Sequence, residues 1–295
     1  MKLKFKVTDN TYFNIKEVLK NHFKVSERLL VKLKRNKKIY LNNSPAYINT
    51  ELKINDFILV NLDFEEETEN IIPTKMDLEI IYEDNSFLIL NKPFGIPVHP
   101  SILHFEDSIS NGVKYYFNSI NLNKKIRPVN RLDKDTSGIV IFAKNEYIQE
   151  CLIKQMKNKI FKKEYIAILE GNLNKTSGTI NAPISRKEGS IIEREINSAG
   201  DSAITHFELQ KTFEKDGYNL SLVKFILETG RTHQIRLHSK HLGYPIIGDS
   251  LYGKTSSLIS RQALHAYKIT FVHPISNKKI SLEIDLPEDM KKIIK

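Results

Sequence analysis

Positive charge is concentrated at one end of this chain, and that asymmetry is the sequence feature that most constrains its fold. Residues 1–60 contain 13 Lys and Arg against 5 Asp and Glu, so they carry +8 of the total net charge of +10. The excess ends at the acidic stretch 65–69. Because 295 residues suffice for one large domain and a small one, the pattern predicts a basic domain at 1–62, an acidic linker at 63–75 and a nearly neutral domain at 76–295.

The overall composition points to a polyanionic partner. A net charge of +10 and a pI near 9.3 favour binding to a nucleic acid or to an acidic membrane surface. The single cysteine, Cys151, excludes an intrachain disulfide and a zinc site built from cysteines, which is typical of a reducing cytosol. No apolar run approaches the roughly 20 residues of a membrane-spanning helix, and no signal segment is recognisable. We therefore expect a soluble, cytoplasmic protein.

The basic domain has the pattern of two helices followed by a hairpin. Helical spacing is seen in Ile15, Val18, Leu19 and His22 or Phe23. Ser26 is positioned to cap a second helix that turns Leu29, Leu30 and Leu33 inward. Residues 39–41 and 57–60 read as strands, and Asn42-Asn43 as a turn.

A cluster of cations follows the second predicted helix of this domain. It consists of Lys32, Lys34, Arg35, Lys37 and Lys38. Such a run is ordinarily a solvated helix face, but five cations in seven positions repel one another unless an anion lies nearby, which favours phosphate binding. The layout of residues 1–62 resembles the S-four-type RNA-binding domain, which is named after a small-subunit ribosomal protein.

The rest of the chain mixes the periods of strands and helices. Residues 78–82, 220–227 and 280–284 read as strands, residues 87–90 and 139–142 form buried apolar runs, and residues 148–156 have helical spacing. Long loops separate these elements, and regular strand–helix alternation is absent. We therefore predict an α+β fold with a mostly antiparallel central sheet.

Residues 248–255 satisfy the phosphate-loop pattern of nucleotide hydrolases. The preceding stretch is short and contains Pro245, and Asp249 would place a negative charge among the phosphates. Too little chain follows to complete the sheet that such a loop requires. The context therefore argues against nucleotide hydrolysis.

A second candidate is a metal site formed by His233, His238, His241 and Asp249. The histidine spacing is not the i, i+4 pair of a helical zinc site, and the chain offers no set of cysteine ligands. Histidines beside arginines are more often RNA contacts or hydrogen-bonded core residues. We therefore predict no metal.

The third candidate is the segment 131–138, which precedes the apolar run 139–143. It forms a polar loop that delivers two carboxylates, Asp133 and Asp135, to the start of a buried strand. Arg131 and Lys134 flank Asp133 and are expected to hold it ionised. Such a carboxylate is a candidate nucleophile or general base, while the plainer interpretation is a turn with Asp as a local cap. Physical reasoning alone leaves the two about even.

Residues 130–144, NRLDKDTSGIVIFAK, look like the active-site motif of the RluA-type pseudouridine synthases. Further family motifs are resembled, in the same order, by residues 90–100, 163–167, 229–238, 243–253 and 261–266. The resemblance spans roughly residues 75–285 and accounts for the phosphate-loop pattern. One departure is Asn130, which stands where the family usually has His; Asn can form hydrogen bonds but cannot ionise.

The resemblance implies the pseudouridine synthase fold, with a catalytic cleft, and isomerisation of uridine in RNA to pseudouridine without cofactor or metal. It makes Asp133 the catalytic carboxylate, which either attacks the sugar C1′ or removes a proton at C2′. It implies that Arg236 pairs with Asp133, because a planar guanidinium suits a carboxylate, and that Tyr165 packs against the everted base. Arg131 and Leu237 are the expected substrate-binding residues. In the plainer interpretation, Tyr165 is a core residue and Arg236 pairs with another acid.

The expected partner is RNA. Large-subunit ribosomal RNA is the usual substrate class of two-domain relatives, and transfer RNA is the alternative. We expect a monomer with neither membrane association nor a nucleotide cofactor. The rival functions are a non-catalytic RNA-binding or ribosome-assembly protein on the same scaffold, and a nucleotide hydrolase.

Overall fold

The N-terminal unit is a four-stranded antiparallel sheet with two short helices in the computed structural model, which describes residues 1–64, 66 and 70–295. Its strands are β1 (Lys2–Lys6), β2 (Ile39–Leu41), β3 (Ser44–Pro45) and β4 (Phe57–Asn61), in the order β1-β4-β2-β3. Its helices are α1 (Ile15–Glu17), which continues as a π-helical turn at Val18–His22, and α2 (Glu27–Arg35).

Local side-chain chemistry sets the ends of these elements. The Ser26 hydroxyl accepts the backbone N–H of Leu29 at 3.2 Å and so caps α2, whose three inward leucines are buried. Asn42 and Asn43 have φ values of 49° and 67° and form the turn between β2 and β3. The predicted helices, strands and turn of this unit are confirmed. Strand β1 was not predicted, although its alternation of lysines with apolar residues has the period of a strand.

The larger unit is built on a nine-stranded sheet. Its helices are α3 (Ile109–Ser119), α4 (Glu146–Lys157), α5 (Gln234–His241) and α6 (Glu288–Ile294). The strands of this unit, including a separate hairpin of β10 and β11, are β5 (Glu79–Glu83), β6 (Phe87–Lys92), β7 (Ser137–Ala143), β8 (Lys162–Glu170), β9 (Ser177–Asn181), β10 (Ile184–Arg186), β11 (Arg194–Ile196), β12 (Ile204–Lys215), β13 (Tyr218–Leu227), β14 (Leu264–Val272) and β15 (Lys279–Glu283).

The strand order of the large sheet is β5-β6-β7-β14-β8-β13-β12-β9, and β15 also pairs with β14. Within the described residues every strand pair of this sheet is antiparallel except β7 with β14. The predicted α+β class with a mostly antiparallel sheet is therefore confirmed.

Strands β6 and β7 lie at the centre of the core, with both faces covered. All seven residues of β7 are buried. Leu90 and Val140 belong to the same apolar cluster as Val113 of α3, while Ile89 and Ile141 belong to a second cluster that includes α4 and the N-terminal unit. The loop that precedes β7 is consequently attached to one of the most thoroughly packed strands of the protein.

Helix α4 connects the N-terminal unit to the large sheet. The Ser26 hydroxyl donates to Glu150 at 2.7 Å, and the Tyr147 hydroxyl donates to the Phe23 carbonyl at 3.1 Å. The Lys32 ammonium lies 3.4 Å from the Glu146 carboxylate. These contacts fix the start of α2 against one side of α4.

Residues 65 and 67–69 of the predicted acidic linker lie outside the described residues. Glu66 is buried and forms ion pairs with Arg127 at 2.7 Å and with Lys32 at 2.5 Å. The Lys32 ammonium also lies 4.3 Å from the centre of the Phe64 ring. Glu66 therefore links the two units through cations of both. In the described part of the chain, no helix has both the length and the apolar composition needed to span a bilayer.

Gly138 is required by the close approach of β7 to β14. Its φ is +119°, and a Cβ atom on it would lie 2.3 Å from the Ala266 carbonyl oxygen. We expect Gly138→Ala to lower the free energy of unfolding by about 2–4 kcal/mol, because both the backbone conformation and the strand contact must change. Urea unfolding measures this change.

Gly189→Ala is the matched control. Gly189 also has a left-handed φ, +72°, but its added Cβ would meet nothing within 4 Å. It should lose only about 1 kcal/mol from backbone strain. Equal losses in the two variants would contradict the role assigned to the β7–β14 contact.

Candidate active site

A cleft of about 880 Å³ opens beside the loop that leads into β7. It is lined by residues of this loop, the end of α4, strand β8 and the segment that leads into α5. Among the residues that line it are Asp133, Tyr165, Arg236 and Arg131. The fold therefore brings four of the predicted site residues from three distant parts of the sequence to one cavity.

Buried side chains hold the backbone of the loop 130–136 from below. The Lys92 ammonium donates to the carbonyl of Lys134 at 2.9 Å and to the carbonyls of Pro93 and Ile96 at 2.7 Å each. The Arg261 guanidinium donates to the carbonyl of Asp135 at 3.1 Å. The carbonyls after residue 133 are thus fixed, and the side chain of residue 133 is directed from a rigid turn.

Lys92 is fully buried, and its environment sets its pKa. Burial lowers the pKa of Lys92 to about 7, against the opposing effect of the negative charges of Asp135 and Asp133. The side chain is enclosed by the carbonyls it binds and does not line the cleft. Its position indicates a structural role under the loop.

Asn130 attaches the start of the same loop to β7. Its amide nitrogen donates to the carbonyl of Ile139 at 3.0 Å, and its amide oxygen accepts the N–H of Ile141 at 3.0 Å. The Asn130 amide therefore binds one carbonyl and one N–H group of the same strand. A carboxamide can make both hydrogen bonds because it carries a donor and an acceptor in a single protonation state. The departure from the family's usual His at this position is accommodated by these two backbone contacts.

Arg236 joins two carboxylates. Its Nε and one terminal nitrogen donate to the two oxygens of Asp249 at 2.7 and 2.8 Å, and its other terminal nitrogen donates to Asp133 at 3.2 Å. Asp249 is completely buried and also accepts the backbone N–H groups of Leu251 and Tyr252. The bidentate pair fixes the guanidinium plane, and the remaining arm meets a carboxylate that is about one-quarter exposed to the cleft.

The pair is charged on both sides. Burial lowers the pKa of Arg236, but Asp249 and Asp133 raise it above its ordinary value. Burial raises the pKa of Asp249, but the hydrogen bond and charge of Arg236 hold it below its ordinary value. Arg236 therefore presents a permanent positive charge to Asp133.

Tyr165 and Lys163 lie two residues apart on β8, and both line the cleft. Successive side chains of a strand alternate between faces, so residues two apart share one face. Burial, with the charge of Asp133, raises the pKa of Tyr165, so its hydroxyl is protonated at neutral pH. Burial lowers the pKa of Lys163. The cleft thus contains the neutral phenol of Tyr165 and, on the same face of β8, the Lys163 amine, which burial partly removes from water.

His233 stands next to Asp133 without a close contact. Its Nε2 lies 3.9 Å from the Asp133 carboxylate, and its Nδ1 lies 3.0 Å from the Tyr252 hydroxyl. The Arg194 backbone N–H donates to that hydroxyl at 2.8 Å, so the hydroxyl is positioned to donate to Nδ1. Burial lowers the pKa of His233 despite the nearby carboxylate. A neutral imidazole with its proton on Nε2 fits these contacts.

Gln234 explains why α5 begins where it does. Its side-chain oxygen accepts the N–H of Arg231 at 2.9 Å and the hydroxyl of Thr229 at 2.8 Å, while its amide donates to the Ile204 carbonyl. The preceding residue, His233, has a left-handed φ of 57°. These hydrogen bonds join the two ends of the loop before α5 and attach the loop to the start of β12. Arg236 then lies in the first turn of α5.

Leu237 occupies a different environment from its neighbour Arg236. It is buried in a small apolar cluster with Ile184, Ala203 and Tyr252. Among the described residues that line the cleft, Leu237 does not appear. Its contacts are therefore those of a packing residue that supports α5.

The predicted RNA-binding cations divide into two groups. Lys34, Arg35 and Lys37 are exposed, and Lys38 is half-buried, with its ammonium 6.0 Å from the centre of the Phe64 ring. Lys32, by contrast, contacts Glu66 and Glu146 between the two units. The first group alone presents its charge to solvent.

The structure explains both the histidine cluster that resembles a metal site and the phosphate-loop pattern at 248–255. His238 is fully buried between the Thr205 hydroxyl and the Ala182 carbonyl, which use both ring nitrogens. The described residues contain no group of three His, Cys, Asp or Glu side chains placed to hold a metal. Residues 248–255 form irregular turns that lead to β14 without a helix, and Asp249 within them is the partner of Arg236.

Sequence reasoning missed the parts played by Asp249 and His233. Asp249 was considered as a metal ligand and as a mismatch to a phosphate loop, and His233 as a metal ligand, an RNA contact or a hydrogen-bonded core residue. The signal that could have identified Asp249 was a lone acidic residue between Gly248 and an apolar segment, which indicates a buried carboxylate in need of a cation. The sequence around Asp249 does not indicate that Arg236 is its partner, because Arg236 lies 13 residues away.

Comparison with known proteins gives consistent matches. Residues 86–241 match the RNA pseudouridylate synthase family. The chain is 40% identical over 276 residues to YhcT of Bacillus subtilis, an uncharacterized RNA pseudouridine synthase, with 94% of this chain and 90% of that protein covered. It is 36% identical to the ribosomal large subunit pseudouridine synthase D of Borreliella burgdorferi, with 91% and 85% covered.

A solved structure, human RNA pseudouridylate synthase domain containing 1, matches with a TM-score of 0.59. The match covers 71% of this chain and 83% of that one at 24% identity, so it bears on the fold alone.

The buried pair of Arg236 with Asp249 should contribute strongly to stability. We expect Asp249→Asn to lower the free energy of unfolding by about 3–5 kcal/mol, because it leaves a buried guanidinium with an unmatched charge. Asp201→Asn is the control, since Asp201 is mostly exposed and pairs with the partly exposed Arg231 at 3.2 Å. The control should lose less than about 1 kcal/mol. Similar midpoints and slopes of urea unfolding for the two variants would refute the assignment.

Proposed function

The chain belongs to the RNA pseudouridine synthase family, as its motifs predicted, and from that premise we propose that it isomerises uridines of large-subunit ribosomal RNA with Asp133 as the catalytic carboxylate. Members of this family are isomerases that act on RNA. The observation that carries the assignment of Asp133 is its position at the cleft, where the fixed guanidinium of Arg236 lies 3.2 Å away.

The reaction exchanges one bond to the sugar for another. The bond between N1 of uracil and C1′ breaks, the base turns within the cleft, and C5 bonds to C1′. A proton leaves C5 and N1 gains one, so the product is an isomer of the substrate. Asp133 acts on the sugar in one of two ways, either by attacking C1′ or by removing the proton at C2′. Both routes need an anionic oxygen held in place, which the Arg236 contact supports.

Arg236 and Tyr165 take supporting roles in this proposal. Arg236 orients Asp133 and balances its charge, while its own orientation is set by Asp249. Tyr165 packs against the everted uracil and assists proton movement at C5. Its raised pKa keeps the phenol neutral before the base arrives, so it enters the reaction as a stacking surface and hydrogen-bond donor.

The target nucleotide must leave its stack to reach Asp133. Everting a base costs a few kcal/mol, and phosphate contacts to the flanking nucleotides can offset this cost. Arg131 is exposed at the cleft, and Lys159, Lys163 and Arg231 also line it. We assign Arg131 to contacts with the displaced strand. Leu237, which was predicted to bind substrate, is left out of the proposal because it is packed in the small apolar cluster.

Residues 1–62 act as the RNA-binding unit of this proposal. Lys34, Arg35, Lys37 and Lys38 are the phosphate contacts, since they combine clustering with access to solvent. Lys32 is assigned to the junction with Glu66 and Glu146 instead. The unit supplies affinity, while the cleft supplies the chemistry.

Large-subunit ribosomal RNA is proposed because relatives bearing that printed function align with most of the chain, at 36% identity for the Borreliella burgdorferi protein and 37% for that of Buchnera aphidicola. Transfer RNA is the alternative substrate. The proposed enzyme works in the cytoplasm as a monomer, without a nucleotide, metal or other cofactor.

One prediction of the proposed function concerns the Asp133 carboxylate. Asp133→Asn should abolish tritium release from a [5-³H]uridine-labelled transcript of large-subunit ribosomal RNA, because the amide cannot act on the sugar as an anion. Filter binding of the same transcript and the thermal midpoint should change little. A labelled transfer RNA transcript, run in parallel, tests the substrate class, and release from it alone would overturn the ribosomal assignment.

Asp135→Asn is the matched control for that variant. Asp135 lies on the same loop, but it does not line the cleft within the described residues. It should retain most of the turnover of the unmodified enzyme. Normal turnover in Asp133→Asn would falsify the catalytic assignment.

Another prediction of the proposed function concerns the basic cluster Lys34, Arg35, Lys37 and Lys38. Replacing Lys34, Arg35, Lys37 and Lys38 together by Gln should weaken RNA binding and flatten the plot of log affinity against log salt by up to about 3, since each lost phosphate contact removes about 0.7–0.9 from the slope. Single-turnover rates at saturating enzyme should change much less. Fluorescence anisotropy across a salt series measures the slope.

Lys2, Lys4 and Lys6 provide the control, since they are exposed lysines on β1 of the same unit. Replacing these three by Gln should have a smaller effect on the slope. An unchanged slope in the first variant, or an equal effect in both, would show that the cluster is not the phosphate-binding surface.

A further inference from the structure

A closed loop, residues 98–110, stands directly beside the catalytic cleft. The Val98 carbonyl accepts the Ser110 N–H at 3.0 Å and the Ser110 hydroxyl at 2.7 Å, and the Pro97 carbonyl accepts the Ile109 N–H at 2.9 Å. These hydrogen bonds join the two ends of the loop at the start of α3, so the residues between them extend away from α3. Compact loops with joined ends are frequently functional.

The inside of the loop is held by a buried amide. Asn111 is fully buried, and its amide nitrogen donates to the carbonyls of Phe105 at 3.1 Å and Ile72 at 2.8 Å. Its amide oxygen accepts the Ser108 N–H at 3.1 Å, which completes the capping box of α3. The loop therefore has a fixed shape beneath its tip.

The tip is a tight turn with bulky apolar side chains. Ser101 and His104 exchange two backbone hydrogen bonds of 3.0 Å each, and His104 Nδ1 lies 2.7 Å from the Asp107 carboxylate. Between Ser101 and His104, Ile102 is 99% exposed and Leu103 is 88% exposed. The closed turn holds these two neighbouring aliphatic side chains in water. Covering them with a partner lowers the free energy, because apolar surface is removed from water.

The tip is continuous with the cleft that receives the substrate. Pro97, Val98 and His99 line the cleft, and the turn begins two residues later. Near the other end of the loop, the hydrogen bond with His104 and, to a smaller degree, the charge of Lys134 lower the pKa of Asp107. The loop thus begins at the wall of the cleft that Arg131 also lines, within reach of a nucleotide strand bound there.

We propose that Ile102 and Leu103 form a wedge that inserts between stacked bases next to the target uridine and keeps the stack open while the uridine is everted. Apolar wedges of Leu and Ile are an established means of parting bases in nucleic acids, and splayed RNA bases readily pack on protein side chains. The inference rests on the proposed function, because it requires that RNA occupies the cleft.

RNA fits this tip better than a protein does. A stable protein interface buries about 800 Å² on each partner, whereas the projecting apolar surface here consists mainly of two side chains on a narrow turn. Arg131 and Lys134 are exposed cations of the loop that carries Asp133, and they can pair with phosphates next to a parted base step. Two side chains suffice for one such step.

The test is the double variant Ile102→Ser, Leu103→Ser in the full-length protein. Single-turnover tritium release from the [5-³H]uridine-labelled large-subunit ribosomal RNA transcript, with enzyme in excess, should fall at least tenfold. Filter-binding affinity for the transcript should change less than threefold, and the thermal midpoint should not change. A merely structural role for the tip would instead lower the thermal midpoint.

Two further variants make the result specific. Ile102→Leu with Leu103→Met keeps the apolar volume and should keep at least half of the rate. Ile120→Ser removes an isoleucine that is 45% exposed at the end of α3 and does not line the cleft within the described residues, and it should leave the rate unchanged. Loss of rate in Ile120→Ser equal to that in the serine double variant would overturn the wedge.

The outcomes separate this inference from the proposed function. An active unmodified enzyme whose serine double variant is equally fast overturns the wedge and leaves the function standing. An unmodified enzyme that releases no tritium from either ribosomal or transfer RNA overturns the proposed function, and the wedge with it. A slow serine variant with a fast Leu-Met variant supports both.

Discussion

The contact on which the site depends is the three-way arrangement of Asp249, Arg236 and Asp133. An isolated buried carboxylate at position 249 would be costly, and so would a buried guanidinium at position 236. Each removes the penalty of the other through two short hydrogen bonds, which also fix the plane of the guanidinium. The third arm of Arg236 then has one direction available to it, and Asp133 lies there. The orientation of the proposed catalytic carboxylate is thus set from a residue that never touches the cleft.

The loop that carries Asp133 is held in place for a related reason. Its backbone is bound by side chains from two other elements, Lys92 at the end of β6 and Arg261 before β14, and its start is bound to β7 by Asn130. Strand β7 is in turn buried on both faces. A carboxylate that acts on a sugar must hold its position to within a fraction of an ångström. Here that position is fixed by the most densely packed part of the core, although Asp133 itself stays partly exposed.

The sequence was sufficient for much of this arrangement. Periodicity predicted β7 and its neighbour β6 but not its other neighbour, β14, and a cap at Ser26 with its inward leucines predicted α2. It was insufficient wherever a side chain chooses between several partners far away in the chain. Lys32 follows the same helical pattern as Lys34 and Arg35, and only the packing of α4 against α2 shows that it meets Glu146. Leu237 adjoins Arg236 in the same motif, yet one residue of helix turns its side chain into a separate apolar cluster.

Helix α4 gives the two units a common frame. Its first turn contacts Lys32 through Glu146, its middle contacts Ser26 through Glu150, and its last residues, Met156 and Lys157, line the cleft. An RNA that binds both the basic cluster and the cleft therefore meets two surfaces joined by one helix. The second contact is then made within a single complex, at a high effective concentration. Because a rigid connection allows few separations between the two contacts, the proposed function implies that this helix also restricts which uridine of a folded RNA can reach Asp133.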